Sequence, residues 1–368
     1  IGTLVNTAEQ DSYWIRWNHA PQSQGNSRFS ASVSMGSTSY NANNNLAIQG
    51  QQGFQQSITS TFSSNVSYSN KLQGLPYNLS SSARLNQSVQ TGEVDLLLPD
   101  VTLNMTRIYP LRNVAKSSNS PLSKLNFSHT FAARNELTNS PVGDFSFDVA
   151  NATDADDEIV DFNSANWDEI QKRSKFGMRH TLPISTSMTV LKYFTLSPTF
   201  SYSEVWYGKE LNFTDYDEEA GGVRVDTVDT FSRAGSWTSS ASLNTRLYGL
   251  YNVGALNIQA IRHVITPSVS FSYNPDFSST KYGVYSDVVI DSLGNTRRLS
   301  KYEGFNFGSP SGFESKTMSI SITNNIEMKV LDKKDSTGQT FKKVKIFDNL
   351  SANTGYNFAA DSFKLNNI

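Results

Sequence analysis

Residues able to do chemistry are few and widely spaced in this sequence of 368 residues. There is no cysteine, and the four histidines (His19, His129, His180 and His263) do not form an HExxH zinc motif. No Walker loop or GxSxG nucleophile elbow occurs, and the segment GSPSG has Pro310 where that elbow needs its nucleophile. The sequence therefore predicts a protein that is not an enzyme and holds no cofactor.

Two short acidic runs supply the hard oxygen ligands that calcium prefers. They are DADDE (154–158) and DYDEE (215–219). Neither run has the ligand spacing of an EF-hand, and solvated loops are commonly acidic. We expect two exposed loops here and no metal site, with calcium binding as the alternative.

Arg262 is the charged residue best placed to bind a ligand. It lies in IQAIRHVITPSVSFSYN (258–274), at an even-numbered position like Thr266, Ser268 and Ser270. In a strand these side chains point to the same face, which we describe as having the same parity. A guanidinium suits anionic groups such as a sugar phosphate, whereas the structural alternative is an arginine satisfied by neighbouring strands. Pro267 has no N–H for a ladder, so it predicts a bulge or a membrane boundary. The predicted substrate-path residues are Arg262, Thr266, Ser268, Ser270, Ser319, Ser321 and Thr323.

The elements that carry these residues show a repeat of two. SKTMSISITNNIEMKV (315–330) alternates apolar with polar residues, as in a strand whose faces meet different surroundings. The same alternation recurs along the chain, and only NWDEIQKR (166–173) reads as a helix, with Asn166 as its N-cap and Glu169 three positions on. The predicted strands are 13–19, 29–35, 54–68, 77–89, 96–108, 125–133, 178–188, 194–206, 237–251, 261–273, 315–330 and 346–358.

Composition excludes several classes of protein. Hydrophobic residues make up 37% of the chain, which is little for two or three compact cores, yet the 12% aromatic content is too high for a disordered chain. The net charge of -2 gives no basic footprint for nucleic acid. No run of 18 apolar residues exists, so a membrane-spanning segment must be a strand.

The predicted connections are unequal in length. Long ones at 135–176, 207–233 and 274–314 alternate with short links near Leu191 and Gly254 and a moderate one at 332–340. Transmembrane barrels have this asymmetry, together with an apolar lipid face and a polar lumen. A sandwich of this size needs linkers between domains, and a solenoid needs a fixed repeat. We therefore expect an all-β, antiparallel transmembrane β-barrel of roughly twelve or more strands.

Several segments resemble the LptD family of lipopolysaccharide-assembly outer-membrane proteins, as found in one Gram-negative branch. IQAIRHVITPSVSFSYNPDF (258–277) is similar to a segment of that family. Four more stretches follow in the family's order, so the resemblance covers most of the chain. They are VDLLLPDVTLNMTRIYP (94–110), LKYFTLSPTFSYSEVWY (191–207), SGFESKTMSISITNNIEMKV (311–330) and TGYNFAADSFKL (354–365).

The resemblance implies a large barrel in the cell outer membrane of a Gram-negative bacterium that inserts lipopolysaccharide into the outer leaflet. It also implies an LptE-like lipoprotein plug in the lumen and an LptA-like periplasmic bridge that delivers the lipid. The family's jelly-roll domain, proline-bearing first strands and disulfide cysteines have no counterpart here. We therefore expect residues 1–368 to be a single middle portion of the barrel, without the N-terminal periplasmic domain and the remaining strands.

Two other functions fit the same pattern. A general outer-membrane channel or nutrient transporter, of the porin or TonB-dependent type, has the same polar lumen. An enzymatic alternative is a barrel phospholipase with Ser and His on adjacent strands, because His129 and His180 share apolar faces; aromatic-belt positions explain them equally well.

Overall fold

Nearly all the regular structure of the chain is strand. The computed structural model describes residues 13–23, 25–36, 61–88, 91–115, 117–140, 159–255, 257–332 and 340–366. The strands are β1 (Trp14–His19), β2 (Ser27–Gly36), β3 (Thr61–Lys71), β4 (Tyr77–Ser88), β5 (Val94–Met105), β6 (Asn126–Phe127), β7 (Thr130–Thr138), β8 (Lys175–Ser185), β9 (Met188–Val190), β10 (Phe194–Phe213), β11 (Val225–Asn244), β12 (Leu247–Ala255), β13 (Ile258–Asn274), β14 (Tyr285–Val289), β15 (Thr296–Ser300), β16 (Ser315–Leu331) and β17 (Phe341–Asn357).

Fifteen of these strands form one antiparallel sheet. Its path runs β1-β2-β3-β4-β5-β7-β8-β10-β11-β13-β16-β17, with β6, β9 and β12 pairing beside it. Each predicted strand segment contains an observed strand, although 54–60 lies outside the described residues. The prediction of an all-β antiparallel, barrel-type sheet is confirmed. Among the described residues the first and last strands of the path do not pair with each other.

The register keeps residues of one kind on one side of the sheet. Between β13 and β16, Ser270 lies opposite Ser319, and Val269 lies opposite Ile320. Since side chains alternate between faces, this register separates a polar face from an apolar face. We call the side of Ser270 and Ser319 the polar face and the side of Val269 and Ile320 the apolar face.

Proline interrupts the ladder in the same way on three strands. Three prolines each lie opposite a gap of two residues between consecutive strands on the neighbouring side. Pro183 on β8 lies opposite the gap 128–129, Pro198 on β10 opposite 186–187, and Pro267 on β13 opposite 245–246. The residues before and after each gap keep the same register. Of the two predictions for Pro267, the bulge is wrong, because the register stays intact, and the membrane boundary stays a prediction. The missing N–H divides the predicted strand 237–251 into β11 and β12.

One predicted connection is much shorter than expected. The segment 207–233 was expected to be a long loop, but β10 continues to Phe213 and β11 begins at Val225. These extensions pair with each other beyond a register shift between Tyr207 and Lys209. The short link at Leu191 and Lys192 is confirmed as a turn, since both residues have positive φ (50° and 67°).

The segment 275–314, which we call the cap segment, folds onto the polar face instead of forming an open loop. It contains a one-turn 3₁₀ helix (Thr280–Tyr282) and the hairpin β14–β15. Its Val284, Tyr302 and Phe305 form a buried cluster with Val205, Tyr207, Leu211 and Ala234 of β10 and β11. This small core explains why those two strands extend so far: their ends pack against the cap segment.

The predicted helix forms at α1 (Trp167–Lys172). The predicted capping box does not, since the side chain of Asn166 makes no cap hydrogen bond and donates to the carbonyl oxygen of Asp161 at 2.9 Å. Glu169 pairs with Arg173 instead (3.2 Å), and the Arg173 guanidinium donates to the Asn139 carbonyl oxygen at 2.9 Å. Within the described ranges, no helix is both long and apolar enough to cross a membrane.

Candidate functional site: the polar face of the sheet

The predicted path residues lie together on the polar face. On β13 and β16, Thr266 lies opposite Thr323, Ser268 opposite Ser321 and Ser270 opposite Ser319. The neighbouring strands extend the set: Ser242 of β11 lies opposite Ser270, and Asn353 of β17 lies opposite Ser321. We call this set the hydroxyl patch. Its members are Ser240, Ser242, Asn244, Thr266, Ser268, Ser270, Ser319, Ser321, Thr323, Ser351 and Asn353.

The central side chains of the hydroxyl patch are not tied to one another. Within the described residues, no hydrogen bond joins two of the paired hydroxyls on β13 and β16, which are half-buried or exposed. A serine or threonine hydroxyl donates one hydrogen bond and accepts two. The patch therefore presents a continuous, uncharged surface that exchanges hydrogen bonds with water or with a polyol.

Arg262 lies on the same parity but nearer the short-link end of β13. Its Nη2 donates to Oε2 of Glu327, the residue directly opposite on β16, at 2.7 Å. Glu327 in turn lies opposite Lys345 of β17. Arg262 therefore forms an ion pair with a residue of the neighbouring strand, which is what the structural alternative predicts. Direct contact of Arg262 with an anionic ligand stays a prediction.

The apolar face has an aromatic row near the long-loop end. Trp237 lies opposite Tyr202, and its ring packs against Phe200 (5.9 Å between centroids) and Tyr273 (5.6 Å). At the other end of the same face, Tyr251 of β12 is exposed beside Ile261. Tyrosine and tryptophan near the ends of a strand are typical of strands that cross a bilayer, because their amphipathic rings favour the interface.

The histidines that suggested a phospholipase are brought together on the apolar face, where His180 lies opposite Glu204 of β10. His129 Nε2 lies 3.1 Å from His180 Nδ1, and the two rings stack. Phe131 and Trp206 pack on His180 at 4.9 and 4.7 Å between centroids. In the part of the chain that the structure describes, no serine hydroxyl bonds to a histidine ring, although Ser203 Oγ donates to the His180 backbone carbonyl oxygen at 3.2 Å. The geometry is that of a packed histidine pair within a cluster of aromatic side chains.

Carboxylates of the second acidic run, 215–219, accept hydrogen bonds from nearby backbone N–H groups. Asp215 Oδ1 accepts the N–H of Val289, and Asp217 Oδ1 accepts that of Glu219 at 2.9 Å. The first run, 154–158, lies outside the described residues. No group of three metal-ligating side chains occurs within the described ranges.

Sequence reasoning missed a charged group on the polar face of β4, β5 and β7. Asp100 accepts from Arg84 Nη2 at 3.1 Å through one carboxylate oxygen and from Arg134 Nε at 3.0 Å through the other. The three residues are 16 and 34 positions apart in the chain, so only the strand register joins them. The alternation of Arg84 with Ala83 and Leu85 was the available signal, since it places the arginine on the polar parity.

The cap segment covers the polar face at the long-loop end. Tyr207, which is 1% exposed, donates its hydroxyl to the Gly308 carbonyl oxygen at 2.8 Å. The Phe307 ring lies under the guanidinium groups of Arg134 (5.4 Å) and Arg179 (4.9 Å). Burial raises the pKa of Tyr302, whose hydroxyl pairs with that of Ser232. The cap segment is thus docked by a polar and aromatic interface.

Comparison with known families decides what kind of sheet this is. The sequence model of the LptD protein family matches residues 2–368, nearly the whole chain. The chain belongs to the LptD family. Membership places it among the proteins of lipopolysaccharide transport and assembly, a family of Gram-negative outer membranes. No curated protein matches the chain.

Proposed function

We propose that this chain forms part of a large outer-membrane β-barrel that inserts lipopolysaccharide into the outer leaflet. In this arrangement the apolar face meets lipid and the polar face lines the lumen. The observation that carries the proposal is the hydroxyl patch, which is continuous over β11, β13, β16 and β17 and lies directly behind an apolar face. Family membership indicates which lipid is transported, and the hydroxyl patch is a surface suited to hydrogen bonding with the sugars of that lipid.

The apolar face has the height that a bilayer requires. Ile261, opposite Tyr251, and Tyr273 are separated by about 12 residues of β13, or about 40 Å at about 3.3 Å per residue. A strand tilted by about 45° then crosses about 28 Å, close to the hydrocarbon thickness of a membrane. This distance supports interfaces near the aromatic row at one end of the apolar face and near Tyr251 at the other.

The proposed mechanism needs no covalent chemistry in the barrel. Hydroxyl and amide side chains exchange hydrogen bonds with sugar hydroxyls at little net cost, because each bond replaces one to water. Such a surface hydrates a passing saccharide without holding it, while acyl chains travel on the hydrocarbon side. The driving force is supplied upstream, by an LptA-like periplasmic bridge.

The proposed assembly includes a second protein in the lumen. An LptE-like lipoprotein plug fits a wide barrel, because a wide lumen without a plug leaves an open aqueous channel. In this proposal residues 1–368 form a middle portion of the barrel. Arg262, with its partner Glu327, lies on the polar face where either the plug or an anionic sugar passes.

Photo-crosslinking within the full-length natural protein tests the proposal. A photoreactive residue at position 319 faces the lumen, and one at the adjacent position 320 faces lipid, so the two variants are matched. We expect the polysaccharide-bearing form of lipopolysaccharide to crosslink at 319, and depletion of the protein to retain lipopolysaccharide on the periplasmic side. Loss of solute uptake with normal surface lipopolysaccharide would instead indicate a general channel or nutrient transporter.

A further inference from the structure

A second polar surface lies on the same face, several strands from the hydroxyl patch. It is an open trough of about 530 Å³ over β2 to β5. Its polar-face lining has five hydroxyl side chains, two arginines, one asparagine and one aspartate, and Tyr68 and Ser81 of the opposite parity also border it. The polar-face lining residues are Arg28, Asn65, Ser67, Ser69, Ser80, Ser82, Arg84, Asp100 and Thr102. We call this surface the arginine trough.

The strand register builds the trough. Ser67 lies opposite Ser82 and Ser69 opposite Ser80, between β3 and β4. Ser82 in turn lies opposite Asp100 on β5. Paired residues on one face stand about 5 Å apart, so the hydroxyls form a row along which the rings of a sugar can lie.

The trough has excess positive charge. Arg28 and Arg84 outnumber Asp100 among the charged lining residues, and Asp100 is also shared with Arg134. The Asp100 side chain is 11% exposed, whereas that of Arg84 is 49% exposed. The carboxylate is thus occupied and covered, while the guanidinium of Arg84 faces the trough.

The Arg84 guanidinium is held in place with donors to spare. Among the described residues its hydrogen bond to protein is the one from Nη2 to Asp100. A guanidinium has five N–H donors in a fixed plane, matched to the paired oxygens of a phosphate. Arg28 is similarly exposed, and within the described residues its guanidinium makes one long hydrogen bond, from Nε to Ser23 Oγ at 3.4 Å.

We propose that the arginine trough binds the phosphorylated part of a saccharide headgroup, with Arg84 and Arg28 on the phosphate and the serine row on the sugar hydroxyls. This inference rests on the proposed function, because it names the part of the lipopolysaccharide that the trough contacts. It assigns Arg84 as a specificity residue for phosphate, in contrast to the uncharged hydroxyl patch. The shared chemistry also admits free phosphate, which the experiment separates.

The test uses the full-length natural protein with a photoreactive residue at position 82 in the trough or at position 79, which is on the opposite face of β4 and outside the trough. Three probes are compared: lipopolysaccharide, the same lipopolysaccharide after enzymatic removal of its phosphates, and inorganic phosphate as a competitor. We expect crosslinking at 82 that depends on the phosphates, whereas any yield at 79 should be the same for the intact and the dephosphorylated probe. Dephosphorylation and Arg84→Gln are each expected to lower the yield at 82 by about tenfold, as for the loss of a charge-assisted hydrogen bond. Arg112→Gln, an exposed arginine in the connection 106–125, is the control and should leave the yield unchanged.

A second variant, which makes the trough more positive, distinguishes a loss of phosphate binding from a loss of folding. Asp100→Asn removes the negative charge and keeps the shape, so the trough becomes more positive and the yield should rise for the phosphorylated probe. If Arg84→Gln and Asp100→Asn lower the yield equally, or if the dephosphorylated probe crosslinks as well as the intact one, the inference is wrong. Competition by inorganic phosphate at micromolar concentration would indicate a site for the free ion instead of a saccharide and would also overturn it.

The two proposals fail separately. Crosslinking at 319 but not at 82 would overturn the arginine trough and leave the transport function in place. Absence of crosslinking at both positions, with normal surface lipopolysaccharide after depletion, would overturn the proposed function and the inference that rests on it.

Discussion

Thr245 donates its backbone N–H to the carbonyl oxygen of Pro267 at 3.2 Å, and Pro267 has no N–H to return. Thr186 stands in the same relation to Pro198 (3.2 Å), and Ser128 to Pro183 (3.3 Å). An antiparallel hydrogen-bonded pair normally exchanges two bonds, so each of these pairs is half complete. At each of these three prolines, the sheet of this LptD-family chain therefore lacks one ladder bond while the register holds.

Replacing one of these prolines should complete the pair. In Pro267→Ala the new N–H faces the carbonyl oxygen of Thr245, which adds about 0.5–1.5 kcal/mol. The loss of proline also frees the unfolded chain, which lowers stability by about 0.4–1 kcal/mol. We expect the two effects to offset each other in the free energy of unfolding, measured by denaturant titration in detergent, and the amide at 267 to exchange slowly.

The matched control is Pro110→Ala, an exposed proline in the connection 106–125. It carries only the unfolded-state effect and should be destabilised by about 0.4–1 kcal/mol. Equal destabilisation in the two variants would show that the N–H at 267 finds no partner.

Adjacent residues on β16 test the assignment of the two faces. Ile320→Arg places a charge on the apolar face near the middle of the span and should destabilise the folded barrel by about 2–4 kcal/mol. Ser319→Arg places the same charge in the polar lumen and should cost little. The measurement is the folding free energy in lipid vesicles, and similar losses for both variants would contradict a lumen on the side of Ser319.

Strand positions and faces were predictable from the sequence because a repeat of two survives wherever the two sides of a sheet differ. The hydroxyl pairs of β13 and β16 were found in this way, since Ser270 and Ser319 both follow the alternation. The strands within 207–233 were not predictable in this way. The ends of β10 and β11 face the cap segment, so their residues do not show the apolar–polar alternation. Their buried residues, such as Leu211, have partners more than 70 positions away in the sequence.

The charged group around Asp100 was out of reach for a different reason. Parity places Arg84 and Arg134 on the polar face, but the approach of both to one carboxylate depends on a register shift on each side of β5. A shift of one residue moves a side chain to the other face. Periodicity therefore predicts which face a residue lies on better than which neighbour it meets.

Docking of the cap segment should depend on Tyr207. Tyr207→Phe removes the hydrogen bond to the Gly308 carbonyl oxygen and should cost about 1 kcal/mol, whereas Tyr207→Ala also leaves a cavity and should cost about 3–5 kcal/mol. Limited proteolysis within 275–314 reports the docking, and cleavage should accelerate in that order. Tyr193→Phe, an exposed tyrosine in the β9–β10 turn, should leave the cleavage rate unchanged. Equal rates in Tyr207→Ala and the natural protein would contradict the docked arrangement.

A double-mutant cycle separates the two interpretations of Arg262. If its role is the ion pair with Glu327, Arg262→Gln and Glu327→Gln should each destabilise the protein slightly, with a coupling of about 0.2–1 kcal/mol, as for a partly exposed pair. Both variants should then support the same surface level of lipopolysaccharide. A transport defect confined to Arg262→Gln would instead show that the guanidinium contacts the substrate.

The hairpin β14–β15 should loosen in acid. Asp287 accepts from Arg298 through both oxygens, at 2.7 and 3.3 Å, and this hydrogen bonding lowers the pKa of Asp287 below its ordinary value of 3.8. A lowered folded-state pKa contributes stability at neutral pH that is lost as the pH falls below 3.8 and through the folded value. The amide signals of Tyr285–Val289 should therefore broaden or shift in that range before those of β16. Asp291 in the turn has its pKa lowered in the same direction by Asn295, and Asp276, which accepts a hydrogen bond from Ser278, has a lowered pKa as well. Asp287→Asn should therefore weaken the acid response, and the double variant with Asp291→Asn should weaken it further. Asp361→Asn, far along the chain, is the control, and an unchanged acid response in the double variant would contradict the assignment.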